Sequence, residues 1–76
     1  MERYEQFVNR YSDIFTLRTI NALYRYSHKI QHNDVITKNF LMAFLAEPNF
    51  YNGLIVRREI ENYIKKYKVK RKELLP

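Results

Sequence analysis

The fold is decided by residues 32–48, which read His-Asn-Asp-Val-Ile-Thr-Lys-Asn-Phe-Leu-Met-Ala-Phe-Leu-Ala-Glu-Pro. Thr37 stands where a helix N-cap belongs, because its hydroxyl can accept a hydrogen bond from a free N–H group of the first turn. Residues 40–46 carry no charge, so we expect this helix to be enclosed by other helices. Pro48 disfavours helical geometry in the residue before it and ends the helix there. The stretch therefore predicts a short, buried helix over residues 38–46.

Two amphipathic helices are predicted before this stretch. Apolar residues at i, i+3, i+4 and i+7 predict the first helix over residues 2–12. The second is predicted over residues 17–31, with Asp13 or Thr16 as its cap. The inner side chains of the first are Tyr4, Phe7, Val8 and Tyr11, and those of the second are Leu17, Ile20, Leu23, Tyr24, Ser27 and Ile30.

A loop from Pro48 to Gly53 and a longer helix follow the central stretch. The only glycine of the chain lies in this loop, where a positive φ costs least. The helix is predicted over residues 54–67, and a separate last turn over 71–75 would fold Leu74 back onto the core. The apolar stripe of the helix predicted over residues 54–67 consists of Val56, Ile60, Tyr63, Ile64 and Tyr67.

No segment alternates with period 2, so the sequence predicts an all-α bundle of four to five helices. We expect one domain over residues 1–76, in which 1–14 forms an added N-terminal helix. The residues expected to hold the fold together are Thr37, Phe40, Leu41, Phe44, Leu45, Ile60 and Ile64.

The composition excludes several classes of function. The chain has no cysteine, which excludes disulfides and thiolate chemistry, and its single glycine excludes a glycine-rich phosphate loop. Its first residues are too polar for a secretory signal, and no apolar run approaches a membrane span. We therefore expect a cytoplasmic protein that is not an enzyme and carries no cofactor.

Two weaker motifs also favour structural roles. His28 and His32 have the spacing of metal ligands on one helix face, but the glutamate of the H-E-x-x-H motif is absent. We therefore expect a solvated or hydrogen-bonded histidine pair, with His32 closing the turn. Phe50 and Tyr51 form an aromatic loop tip, which is expected to pack on the core or to anchor a partner.

The positive charge is concentrated at the end of the chain. Residues 1–56 have a net charge of +1, whereas residues 57–76 have a net charge of +5. This end is either a solvated face or a surface for an acidic protein or nucleic acid. Its basic residues are Arg57, Arg58, Lys65, Lys66, Lys68, Lys70, Arg71 and Lys72.

The order of these elements resembles one repeat of the N-terminal domain of Clp protein unfoldases. That repeat carries a stretch like H-x-x-I-x-T-E-H-L-L-L-A-L-L, on which His32, Val35, Thr37 and residues 40–45 fall. Phe15-Thr16-Leu17-Arg18-Thr19 looks like the F-T-x-R-A that opens the repeat, and Val69 and Leu74 keep the spacing of its last apolar pair. The resemblance covers residues 15–75 and implies a helical interaction domain.

The sequence departs from the repeat at its polar positions. Lys38 replaces the acid that follows the threonine, and Asn39 replaces the second histidine. In some members that acid helps to hold phosphorylated arginine, and Lys38 lacks the required acceptor. Ile36 and Lys68 replace two glycines, and there is one repeat where the family domain has two.

A lone repeat is expected to expose apolar surface that a second repeat would cover. The added N-terminal helix, a second copy in a C₂ homodimer, or the N-domain of a Clp unfoldase could cover it. Our leading hypothesis is therefore an adaptor-like or decoy regulator that binds a Clp unfoldase, such as a phage or mobile element would encode. The alternatives are a small nucleic-acid-binding protein that uses residues 57–72 and a dimeric interaction module. We favour a protein partner because the helix after the His32 turn is too apolar to read bases.

Overall fold

The computed structural model describes residues 3–32, 35–48 and 53–74, with side chains described up to Tyr67. These residues form four helices and no strand, which confirms the predicted all-α class. The helices are α1 (Tyr4–Tyr11), α2 (Leu17–Lys29), α3 (Lys38–Ala46) and α4 (Gly53–Leu74). The chain divides into two compact units, Met1–Asp34 and Val35–Pro76, which are described separately.

In the first unit, α1 packs on α2 through aromatic side chains. Phe7 and Tyr11 are buried on α1, as the spacing predicted, and Val8 is half-buried. The Tyr24 ring of α2 meets the Phe7 ring with centroids 5.3 Å apart and the Tyr4 ring with centroids 5.2 Å apart, both edge to face. Tyr4 itself remains partly exposed, so the aromatic cluster reaches the surface at the start of α1.

The buried face of α2 differs from the predicted stripe. Leu17 and Ile30 were predicted to be inside but are exposed, whereas Thr19, Ala22 and Tyr26 are buried. Leu17 is the first residue of α2 and Ile30 lies just beyond its last residue, so both lie at the ends of the helix. The predictions for Ile20, Leu23 and Ser27 were right, and Tyr24 is half-buried.

The end of α2 is closed by backbone hydrogen bonds. The N–H of His32 donates to the Ser27 carbonyl (2.9 Å), and the N–H of Gln31 donates to the His28 carbonyl (3.2 Å). This is a Schellman motif, in which the residue after the C-cap adopts left-handed geometry. Gln31 occupies that position with φ 54°, where glycine is more usual. Ser27 Oγ also donates to the His32 carbonyl at 3.0 Å, so each of these two residues donates one hydrogen bond to the other across the turn.

The second unit begins with the predicted threonine cap. Thr37 Oγ1 accepts from the N–H of Phe40 at 3.1 Å, and α3 spans the predicted residues 38–46. Glu47, the residue before Pro48, is extended with ψ 111°, as expected. The cap and the proline thus determine both ends of α3.

The prediction that α3 is enclosed on every side was wrong. Phe40, Leu41 and Phe44 are buried, but Met42 is 51% exposed. Within this unit α3 packs on α4, and such packing covers one side of a helix. The exposed α3 stripe consists of Asn39, Met42, Ala43 and Ala46.

The last helix is longer than predicted. α4 runs as one 22-residue helix from Gly53 to Leu74, so the predicted stop at residue 67 and the separate turn over 71–75 were wrong. Residues 54–74 contain no glycine or proline, and lysine is a good helix former. Gly53 has the expected positive φ of 74°. Val56, Ile60 and Tyr63 are buried, and Ile64 and Tyr67 are half-buried.

Replacing Thr37 tests the cap of α3. Thr37→Ala should lower the free energy of unfolding by about 1 kcal/mol, because an N–H of the first turn loses its acceptor. Thr37→Ser keeps the hydroxyl and should retain most of this stability. Urea unfolding followed by circular dichroism measures both, and equal losses in the two variants would contradict the cap.

The two faces of α3 offer a matched pair of substitutions. Phe44→Ala should lower the free energy of unfolding by about 3–5 kcal/mol, because this side chain is fully buried. Met42→Ala, one half-turn away, should change it by less than about 0.5 kcal/mol, because the side chain is exposed. Thermal unfolding compares them, and a small effect of Phe44→Ala would mean that α3 is an exposed interface.

Candidate functional site

The first turn of α3 carries the two predicted recognition residues, Lys38 and Asn39. Lys38 is half-buried and Asn39 is exposed. Asn39 also opens the α3 stripe, in which residues 39, 42, 43 and 46 follow the i, i+3, i+4 and i+7 spacing of one helix face. The amide of Asn39 therefore lies beside exposed apolar side chains.

Sequence reasoning missed the apolar side chains that this unit leaves in solvent. Besides Met42, they are Leu54, which is 70% exposed, and Ile55, which is 60% exposed, both in the first turn of α4. The resemblance implied that some apolar surface would be exposed, but no periodicity identified these residues. Large side chains at such exposure are candidates for contact with a partner.

Arg57 joins the two helices at this end of the unit. Its Nη1 donates to the carbonyl oxygen of Leu45 at 2.9 Å, and the side chain is half-buried. A cation that donates to a carbonyl of the last turn satisfies an orphan acceptor and complements the helix dipole. Arg57 was predicted to bind a partner, but its described contact is internal. The same contact brings the exposed first turn of α4 to the end of α3.

An exposed face of α4 continues from apolar to charged residues. Leu54, Arg58, Glu61 and Lys65 follow helical spacing along this face, and all four are exposed. Lys66 is exposed as well. The unit therefore places positive charge on the same helix as Leu54, the most exposed of its described apolar side chains.

For the remaining residues that were predicted to contact a partner, the structure describes no side-chain positions. Lys68, Lys70, Arg71 and Lys72 belong to α4, but their side chains lie outside the described part of the chain. Phe50 and Tyr51 lie outside the described residues altogether. Among the residues predicted to be structural, Phe40, Leu41, Phe44 and Ile60 are buried, whereas Leu45 and Ile64 are half-buried.

The two histidines do not share a helix face. α2 ends at Lys29, so His32 lies beyond it, and the predicted placement on one face was wrong. The His28 ring packs on the Tyr24 ring with centroids 4.4 Å apart. The turn at His32 is closed by its backbone groups. In the described part of the chain, no three histidine, aspartate or glutamate side chains gather as metal ligands would.

Comparison with known proteins gives no relative. No family model matches the chain, and neither a curated protein nor a solved structure does. Among the described residues, no helix is both long and apolar enough to cross a membrane.

Replacing Arg57 tests its internal role in joining α3 and α4. Arg57→Gln should lower the free energy of unfolding by about 1–2 kcal/mol, because the charged hydrogen bond to Leu45 is lost. Arg58→Gln removes the same charge from an exposed neighbour and should change it by less than about 0.5 kcal/mol. Urea unfolding measures both variants. Equal stability of the two would show that the contact with Leu45 contributes nothing to folding.

Proposed function

We propose that this chain is a non-enzymatic regulator that binds the N-domain region of a Clp unfoldase. By occupying that region it would change which substrates the unfoldase takes, as an adaptor or a decoy does. No bond is made or broken, so the mechanism requires only a surface of the right shape and charge.

The observation that carries the proposal is the exposed apolar surface of the second unit. Met42, Leu54 and Ile55 are each at least half exposed, although they are large apolar side chains. Single exposed apolar side chains are normal in soluble proteins, but three large ones on two helices that pack together favour an interface. Removal of apolar surface from water is the dominant favourable term in most protein–protein association.

Charge favours an acidic partner surface beside the apolar contact. Arg58, Lys65 and Lys66 are exposed on α4, the helix that also carries Leu54. Complementary charge mainly accelerates association and selects among partners, and its effect falls as salt rises. Binding should therefore weaken with salt without disappearing, because the apolar contact is insensitive to screening.

The resemblance in sequence selects a Clp unfoldase among possible partners. Family N-domains pair two repeats, and this chain supplies one, so a repeat of the partner offers a matching surface. Phe40, Leu41 and Phe44 keep the apolar positions of the motif inside, and Thr37 keeps its cap. Lys38 and Asn39 replace the polar recognition positions, which favours a protein that engages the N-domain over one that duplicates its substrate binding.

Calorimetry of the full chain with an isolated Clp N-domain tests the proposal. We expect saturable binding, weakened at least about tenfold by Met42→Asp and by Leu54→Asp, since each buries a charge in an apolar contact. Leu17→Asp is the matched control, because Leu17 is an exposed leucine of the other unit. Circular dichroism should show the same helix content in all three variants.

Two results would contradict the proposal. The first is the absence of binding at tens of micromolar of each protein. The second is a stable dimer in light scattering that Met42→Asp or Leu54→Asp dissociates, together with N-domain binding that these substitutions leave unchanged. The second result would show that another copy of this chain covers the surface.

A further inference from the structure

The first unit has a surface cavity that is widely open to solvent and that the proposed function does not use. It has a volume of about 490 Å³ and is lined by Tyr4, Arg18, Asn21, Tyr24 and Arg25. Two of these five residues carry positive charge and none carries negative charge. We propose that this cavity binds an acidic peptide segment through two of its carboxylates.

The basic wall of the cavity is one face of α2. Arg18, Asn21 and Arg25 stand at i, i+3 and i+7, so all three lie on the same side of the helix. Seven residues of helix advance by about 10.5 Å, which separates the two arginines along the axis. A guanidinium has five N–H donors in a planar fork that matches a carboxylate, so Arg25, which already has another interaction in the chain, can still donate to a ligand.

The opposite wall, supplied by α1, orients the amide between the arginines. The Tyr4 hydroxyl donates to Asn21 Oδ1 at 2.5 Å, which turns the amide oxygen toward α1. The NH₂ group is then the part of Asn21 that can donate to a ligand. Tyr4 and Tyr24 pack edge to face with ring centroids 5.2 Å apart and hold this wall in place.

The spacing of the donors favours a peptide over a small anion. In an extended peptide, side chains on one face lie about 7 Å apart at i and i+2 and about 14 Å apart at i and i+4. The separation of about 10.5 Å between the arginines falls between these values, within reach of their flexible stems. Asn21 stands between the arginines, where its NH₂ group can donate to a peptide carbonyl. A single phosphate at one end of this face would contact only one of the two arginines.

Nuclear magnetic resonance of the full chain tests the site with a defined probe. The blocked pentapeptide Glu-Ala-Glu-Ala-Glu should saturate shifts of the Asn21 side-chain NH₂ and of the arginine Nε–H groups at 18 and 25. The matched peptide Gln-Ala-Gln-Ala-Gln should leave these signals unchanged, because it offers no charge.

Variants then assign the binding to this wall. Arg18→Gln with Arg25→Gln should weaken binding of the glutamate peptide about tenfold, since each exposed ion pair contributes up to about a factor of five. Tyr4→Phe, which removes only the hydroxyl that orients Asn21, should weaken it severalfold. Arg10→Gln removes one positive charge from α1, outside the residues that line the cavity, and should leave binding within twofold, whereas Arg18→Gln alone should weaken it severalfold.

Three outcomes would overturn the inference. The first is a response to the glutamate peptide that the cavity variants leave unchanged. The second is an equal response to inorganic phosphate alone, and the third is no saturable shift at millimolar peptide. None of these experiments involves Met42, Leu54 or a Clp N-domain, so their failure is distinguishable from failure of the proposed function.

Discussion

Hydrogen bonding at the helix ends is the constraint on which the rest of this structure depends. Each helix leaves four N–H and four C=O groups without internal partners, and a 76-residue chain buries too little apolar surface to leave many of them unsatisfied. The Thr37 hydroxyl accepts a hydrogen bond from an N–H at the start of α3, and the Arg57 guanidinium donates one to a carbonyl at its end. Ser27 and His32 close α2 through reciprocal bonds. Each contact also directs the next segment of chain, so capping and chain direction are determined together.

The elements that the sequence predicted well are those whose ends are determined by neighbouring residues. The bounds of α3 were right because Thr37 and Pro48 act on the residues beside them. The end of α4 was wrong because the helix was taken to end at Tyr67, the last residue of its apolar stripe. Lys68 imposes no break, and the helix continues to Leu74. A helix end that no residue marks is therefore predicted less well than one that a cap or a proline marks.

The sequence could not predict which side of an apolar helix stays uncovered. In α3 every residue from Phe40 to Ala46 is apolar, so periodicity carries no information about direction, and Met42 was placed inside. The contact of Arg57 with Leu45 joins residues twelve apart, and nothing nearby in the sequence indicates it. The candidate site was therefore predictable in its charge, which follows from composition, but not in its apolar part, which follows from packing.

The two proposed surfaces differ in whether the stability of the fold requires their residues. The stability of the fold does not require Met42 or Leu54 to be apolar, because both are exposed and polar residues there would cost the fold little. The cavity beside Arg18 is different, because Tyr4 contributes both to packing on α2 and to the orientation of Asn21. Apolar exposure without a folding role therefore points to a partner more directly than the cavity does. A change that abolishes binding and spares stability is accordingly a sharper test at α3 than at α1.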